Sequence, residues 1–117
     1  MIKGVAYFPL LKGSDPEELW KFWVEKFAPT HDPNNWPHLK KYVISRVIKQ
    51  ERGSGNMWGM AELYWDSQEA YEADMKALDN ASDKKSHWKD RWESMVGEMT
   101  ITVMEEKVII DNGKLVI

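Results

Sequence analysis

Glu62 lies in WGMAELY, residues 58–64, where strand alternation puts Trp58, Met60, Glu62 and Tyr64 on one face. A carboxyl group among large apolar side chains resists ionisation, so Glu62 is a candidate general acid or base near neutral pH. Its plainer role is a charge pair with Arg46, which alternation in the preceding strand places on that same face beside Tyr42, Ile44 and Ile48. His31 and His38 bracket the loop HDPNNWPH and form a second pair of proton carriers, because imidazole titrates in the physiological range. Either can equally be an exposed loop residue or one satisfied by Asp32. Tyr7, Tyr42 and Tyr64 carry hydroxyls that can hold a carbonyl or phenolate oxygen, a role that needs only a fixed donor; core positions are the alternative. Trp36 and Trp58 are suited to stacking on a planar ligand. The expected proton carriers and donors are thus Glu62, His31, His38 and Tyr64, and the expected ligand contacts are Tyr7, Trp36, Tyr42, Arg46, Trp58 and Met60.

Other chemistries find less support. The chain has no cysteine, which removes thiolate nucleophiles, disulfides and Cys-ligated metal centres. No Gly-x-Ser-x-Gly elbow is present, and Ser54 sits in a GSG turn that no helix follows, so neither a serine nucleophile nor a phosphate loop is expected. His31, Asp32 and His38 lack a spacing that fixes two ligands on one helical face, so no metal site is expected. His87, before Trp88, is a candidate axial ligand for haem, though such a residue is more often a surface histidine.

These residues must be positioned by a single domain, since 117 residues bury one core and not two. Sixteen basic and nineteen acidic side chains give a net charge of −3 with no basic cluster, which argues against nucleic acid as a partner. No apolar run approaches bilayer length, and the first residues lack a leader-like pattern; a soluble, cytoplasmic protein is expected. Seven Trp, four Tyr and three Phe are more large flat side chains than so small an interior readily hides, so some are expected to line a pocket or an interface.

Ile2 to Leu10 alternates as a strand whose far end is held to an edge by Pro9. Asp15 is a good N-cap, Pro16 suits the first helical position and Glu18 fits a capping box; Trp20, Trp23, Val24 and Phe27 then recur at helical spacing, with Leu19 and Phe22 broadening the stripe. Pro29 closes that helix. Leu39 to Gln50 and Trp58 to Trp65 read as strands joined in a hairpin through the turn-forming ERGSGN. A helix capped by Asp66 or Ser67 follows, with Ala70, Tyr71, Met75 and Leu78 as its buried stripe. A further helical segment runs from about Asp83 to Val96, a fourth strand spans Met99 to Val108, and Asn112-Gly113 marks a small terminal hairpin. The order β-α-β-β-α-β is the split βαβ arrangement of ferredoxin-like α+β folds, with an antiparallel sheet and helices on one face only. By alternation the uncovered face carries large apolar groups, so a second copy of the chain is expected to cover it, sheet against sheet.

Two stretches, DPEELWKFWVEKFAP and MAELYWDSQEAYEA, together with this order of elements, resemble the EthD-like branch of the dimeric α+β barrel superfamily over about residues 1–108. The resemblance implies a homodimeric α+β barrel; residues 109–117, beyond the matched stretch, are read from their own turn signal as a C-terminal hairpin extension that can exchange with the partner subunit. Relatives include isomerases, polyketide cyclases, decarboxylases, antibiotic-type monooxygenases and haem-degrading enzymes, so fold does not choose the reaction. Phe27 stands where the family commonly places a His before Ala-Pro, so an imidazole role there does not carry over; His31, one turn on, can stand in for it. Glu62 does match the family's strand motif. The implied function is proton transfer, without cofactor, on a small hydrophobic, aromatic or polyketide-like molecule: isomerisation, cyclisation, dehydration or decarboxylation. A non-catalytic ligand-binding dimer and a haem-linked monooxygenase are the alternatives.

Overall fold

The computed structural model describes residues 1–80 and 88–117. Its core is a four-stranded antiparallel sheet in the order β2-β3-β1-β4, built from β1 (Ile2–Phe8), β2 (Lys41–Arg46), β3 (Gly59–Trp65) and β4 (Thr100–Glu105). Helices α1 (Pro16–Phe22), α2 (Gln68–Asn80) and α3 (Lys89–Glu93) complete the ferredoxin-like α+β fold. A two-stranded hairpin, β5 (Ile110–Asp111) with β6 (Lys114–Leu115), ends the chain. Its two turn residues, Asn112 and Gly113, both have positive φ, 51° and 75°, the geometry for which Asn-Gly is favoured. The helix expected over Asp83 to Val96 is described only from Trp88 onward; its earlier residues, His87 included, lie outside the described residues.

The start of α1 follows its sequence. Asp15 accepts hydrogen bonds from the backbone N–H groups of Glu17 and Glu18, and Pro16 takes the first helical position. Leu19, Phe22 and Trp23 are buried, whereas Val24, expected in the same stripe, falls at its edge and is 44% exposed. After Phe22 the helix widens into a π turn, Trp23–Phe27, in which the Ala28 N–H reaches the Trp23 carbonyl, and then tightens into a 3-10 turn, Ala28–Thr30. Pro29 supplies the reason for the irregularity: it has no N–H to donate, and its ring collides with the carbonyl four residues back in a regular helix.

Burial in β3 alternates strictly. Gly59, Ala61, Leu63 and Trp65 face the helices, while Met60, Glu62 and Tyr64 face away. Register then fixes the other strands, because directly paired residues share a face. In β1, Ala6 and Phe8 pair with Ala61 and Gly59 on the helix side, and Lys3, Val5 and Tyr7 pair with Tyr64, Glu62 and Met60 on the other. In β2 the register corrects the expected faces. Tyr42, Ile44 and Arg46 pair with Leu63, Ala61 and Gly59 and so turn toward the helices, leaving Val43 and Ser45 beside Glu62 and Met60. The larger side chains thereby gain cover, and the uncovered face is smaller and more polar than alternation alone suggested. Gly59 is required where it stands, since a Cβ there would lie 2.7 Å from the Phe8 ring and 3.0 Å from Trp23.

Candidate functional site

Between the sheet and its helices lies a cavity of about 220 Å³. Its floor is Gly4, Ala6 and Phe8 of β1 with Ala61, Leu63 and Trp65 of β3. Trp23 and Phe27 close one side, Tyr71 and Met75 of α2 another, and Trp92 of α3 a third. Ile101 and Val103 of edge strand β4 also line it and are 67% and 48% exposed, so the cavity reaches the surface there. The lining is almost wholly apolar. His31, Tyr42 and Tyr71 are the polar side chains among the lining residues apart from the indoles.

His31 enters this space because of the irregular helix end. The π turn and the 3-10 turn carry the chain past Pro29, and the His31 N–H closes on the Ala28 carbonyl at 3.0 Å. Its ring lies against Tyr42, with centroids 4.5 Å apart and planes 11° from parallel, and against Trp36 at 5.0 Å and 27°. Nδ1 is 3.2 Å from the Ala28 carbonyl oxygen and 3.4 Å from Thr30 Oγ1, which itself donates to the Phe27 carbonyl. A carbonyl accepts only, so the neutral ring carries its proton on Nδ1, and among the described residues no hydrogen bond engages the Nε2 lone pair. Burial holds the His31 pKa below its ordinary value, against the opposing pull of the Ala28 and Phe27 backbone contacts and the Asp32 charge. Burial likewise pushes the Tyr42 hydroxyl up to about 12, slightly offset by a hydrogen bond from the Trp23 side chain. At neutral pH the pair is therefore a neutral base stacked on a protonated phenol.

Asp74 holds the loop in place. It is completely buried on α2, accepts the Trp65 indole N–H at 2.8 Å, and receives the His38 backbone N–H at 3.2 Å on each carboxylate oxygen. Sequence reasoning missed this residue. The available signal was its spacing, three after Tyr71 and four after Ala70, within an apolar stripe.

The other expected site residues scatter. Glu62 and Tyr64 lie on the uncovered face of the sheet, where Lys3 Nζ sits 3.0 Å from Glu62 Oε2 and 3.2 Å from Glu106 Oε1, and the Tyr64 hydroxyl donates to Glu62 at 3.3 Å. Lys3 is raised above its ordinary value, chiefly by its hydrogen bond to Glu62. The apolar surroundings and the Arg46 partner expected for Glu62 are thus replaced by a lysine. Arg46 instead bonds Glu17 at 3.0 Å and covers the Trp20 ring at 4.8 Å on the helix side. Trp58, expected beside Glu62, packs on Phe8, Trp20 and Trp23. Met60 stays on the uncovered face, and Tyr7 borders a separate depression with Met57 and Thr100. The His38 side chain is exposed. Asp32 accepts from the N–H groups of Asn34 and Asn35, shaping the loop. Among the described residues no three His, Asp or Glu side chains gather as metal ligands, and no helix is long and apolar enough to cross a membrane.

No protein-family model matches the chain, and no curated protein sequence does either. Solved structures do. An EthD family protein from Bacillus halodurans is 19% identical with a TM-score of 0.67, over 92% of this chain and 99% of that one. A NIPSNAP domain protein from Burkholderia xenovorans is 11% identical with a TM-score of 0.68, over 96% and 100%. SnoaB from Streptomyces nogalater, a cofactor-independent oxygenase, is 13% identical with a TM-score of 0.58, over 92% and 93%. Identities this low establish the fold alone, a ferredoxin-like α+β arrangement shared along nearly the whole chain.

Proposed function

We propose, from a ferredoxin-like α+β fold enclosing an aromatic cavity, that this protein binds a compact planar molecule there and moves a proton on it through His31. The observation that carries this reading is an imidazole lining an apolar cavity with its Nδ1 against the Ala28 carbonyl and its ring stacked on Tyr42 and Trp36. Such a base can take a proton from a carbon next to a carbonyl; the C–H electron pair becomes the enolate, and return of the proton to another carbon completes an isomerisation. The same first step serves aldol-type cyclisation and the dehydration of a β-hydroxy carbonyl compound, whose hydroxyl leaves as water, and an apolar enclosure keeps bulk water from competing. The Tyr42 hydroxyl, protonated across the physiological range, is a donor carried on the ring stacked against the base. Size limits the ligand: a cavity of roughly 150 Å³ accepts benzene, so about 220 Å³ suits one or two rings. The likeness to a cofactor-independent oxygenase supports chemistry run by side chains alone. The open sheet face and the exposed Ile110, Leu115 and Ile117 of the terminal hairpin are read as covered by a second copy of the chain.

Deuterium uptake at the α-carbon of 1-indanone, followed by NMR in D2O, tests the reading. The wild-type protein should accelerate uptake over buffer, and His31→Phe should lose that acceleration. Saturable quenching of Trp fluorescence by 1-indanone with uptake no faster than buffer would replace catalysis by simple ligand binding.

A further inference from the structure

The Tyr42 hydroxyl and the Trp23 side chain are hydrogen-bonded to each other, and an indole nitrogen can only donate. Tyr42 Oη is therefore the acceptor in that bond, and its own hydrogen is left for another partner. Trp23 is 1% exposed and wedged against Phe8 and Trp20, with ring centroids 5.3 and 5.8 Å away, so a core residue fixes the accepting side of the hydroxyl. A hydroxyl that accepts one hydrogen bond is polarised into a better donor of the next.

The cavity itself offers that hydrogen little. No carboxylate or amide side chain is among the described lining residues. The His31 ring lies flat on the phenol, so its lone pair and the hydroxyl occupy near-parallel planes and do not bond each other. Tyr71 belongs to α2 and stands edge-on to Trp65 instead. Nε2 of His31 is likewise unengaged, yet it is not one of the buried polar atoms without a partner, which among the described residues belong to Trp92 and Thr102. It therefore keeps accessible surface. A hydroxyl with a spare hydrogen and an imidazole with a spare lone pair thus sit on two touching rings that line one cavity.

We propose that Tyr42 is the second catalytic residue of this cavity: its hydroxyl, oriented by Trp23, holds the carbonyl oxygen of a small cyclic ketone while His31 takes a hydrogen from the adjacent carbon. This deepens the reading of the cavity as the reactive site and rests on it. The held oxygen and the carbon that loses its hydrogen are two bonds apart in the ligand, a separation that suits a donor and a base carried on rings in contact. As the C–H bond breaks, its electron pair forms the C=C bond of the enolate and the carbonyl π pair moves onto oxygen, where the bond from Tyr42 strengthens. The proton stays on Nε2 until it returns to carbon. A hydrocarbon of the same shape would leave the hydroxyl's hydrogen unpaired.

1-Indanone labelled with carbon-13 at the carbonyl tests the assignment, with indane as the same ring system lacking the oxygen. Bound to the wild-type protein, the carbonyl resonance should lie downfield of its position in cyclohexane. Tyr42→Phe keeps a ring against His31; it should return the resonance to that position and slow deuterium uptake on the order of a hundredfold. A resonance that stays downfield in Tyr42→Phe, with uptake unchanged, would give the oxygen to another donor and overturn the assignment while leaving His31 and the cavity as read. A carbonyl resonance at its cyclohexane position in the wild-type protein would do the same, and it decides the matter even if Tyr42→Phe does not fold. If neither 1-indanone nor indane perturbs the NMR resonances of cavity residues, the cavity reading falls and the role of Tyr42 with it.

Discussion

The His31 imidazole lies flat on the Tyr42 phenol, ring centroids 4.5 Å apart and planes 11° from parallel. Stacking fixes the imidazole's tilt while the Ala28 carbonyl fixes which nitrogen carries the proton. Neither contact uses the Nε2 edge. The ring's orientation is thus set by the protein itself, and burial among its aromatic neighbours favours the uncharged form.

The lowered pKa of His31 has a definite sign in stability. Its folded value lies below the ordinary 6.5, so between the two values the unfolded chain binds more protons than the native one. Stability is complete above pH 6.5 and is lost as pH falls from there through the folded value. Denaturant melts between pH 5 and 8 should show this loss, and His31→Phe should flatten the profile by up to one proton. An unchanged profile in His31→Phe would mean that the imidazole is not held neutral by burial.

Asp74→Ala should destabilise the protein by on the order of 3 kcal/mol, since it strands the Trp65 indole N–H and the His38 backbone N–H together. Asp74→Asn keeps an acceptor and should cost less. Loss of the loop's anchor should also reach His31, so hydrogen exchange at residues 31–38 is expected to rise in Asp74→Ala even where the sheet stays protected. Unchanged exchange in that loop would show that it is held from elsewhere.

Residues 109–117 expose Ile110, Leu115, Val116 and Ile117 at 64%, 67%, 53% and 69%. If a second copy covers them, the intact chain should run as a dimer in sedimentation at micromolar concentration, and removal of residues 109–117 should weaken the association. A monomeric intact chain would contradict the covered sheet face. A dimer indifferent to the truncation would confine the interface to the sheet.

How much of this was legible in the sequence depended on whether a residue's role is local. The Asp15 cap, the alternation of β3 and the Asn112-Gly113 turn are set by near neighbours, and each appears as read. The faces of β2 were not legible, because Val43 and Ile44 are both apolar and only pairing with β3 decides between them. That one reversal carried Arg46 away from Glu62 and Tyr42 toward His31. Pro29 was visible as a helix end, but not the widened turn before it that brings His31 inward. Asp74 resembled a solvated carboxylate on a helix until two donors distant in sequence were placed against it.

The π turn at Trp23–Phe27 makes the aim of His31 a matter of counting. Each helical residue turns the chain by about 100°, so one residue added or removed between Trp23 and Thr30 would swing a different side chain to the position His31 holds, whatever the residue's chemistry. A single-codon insertion or deletion in this stretch could therefore silence the site without touching any side chain that lines it.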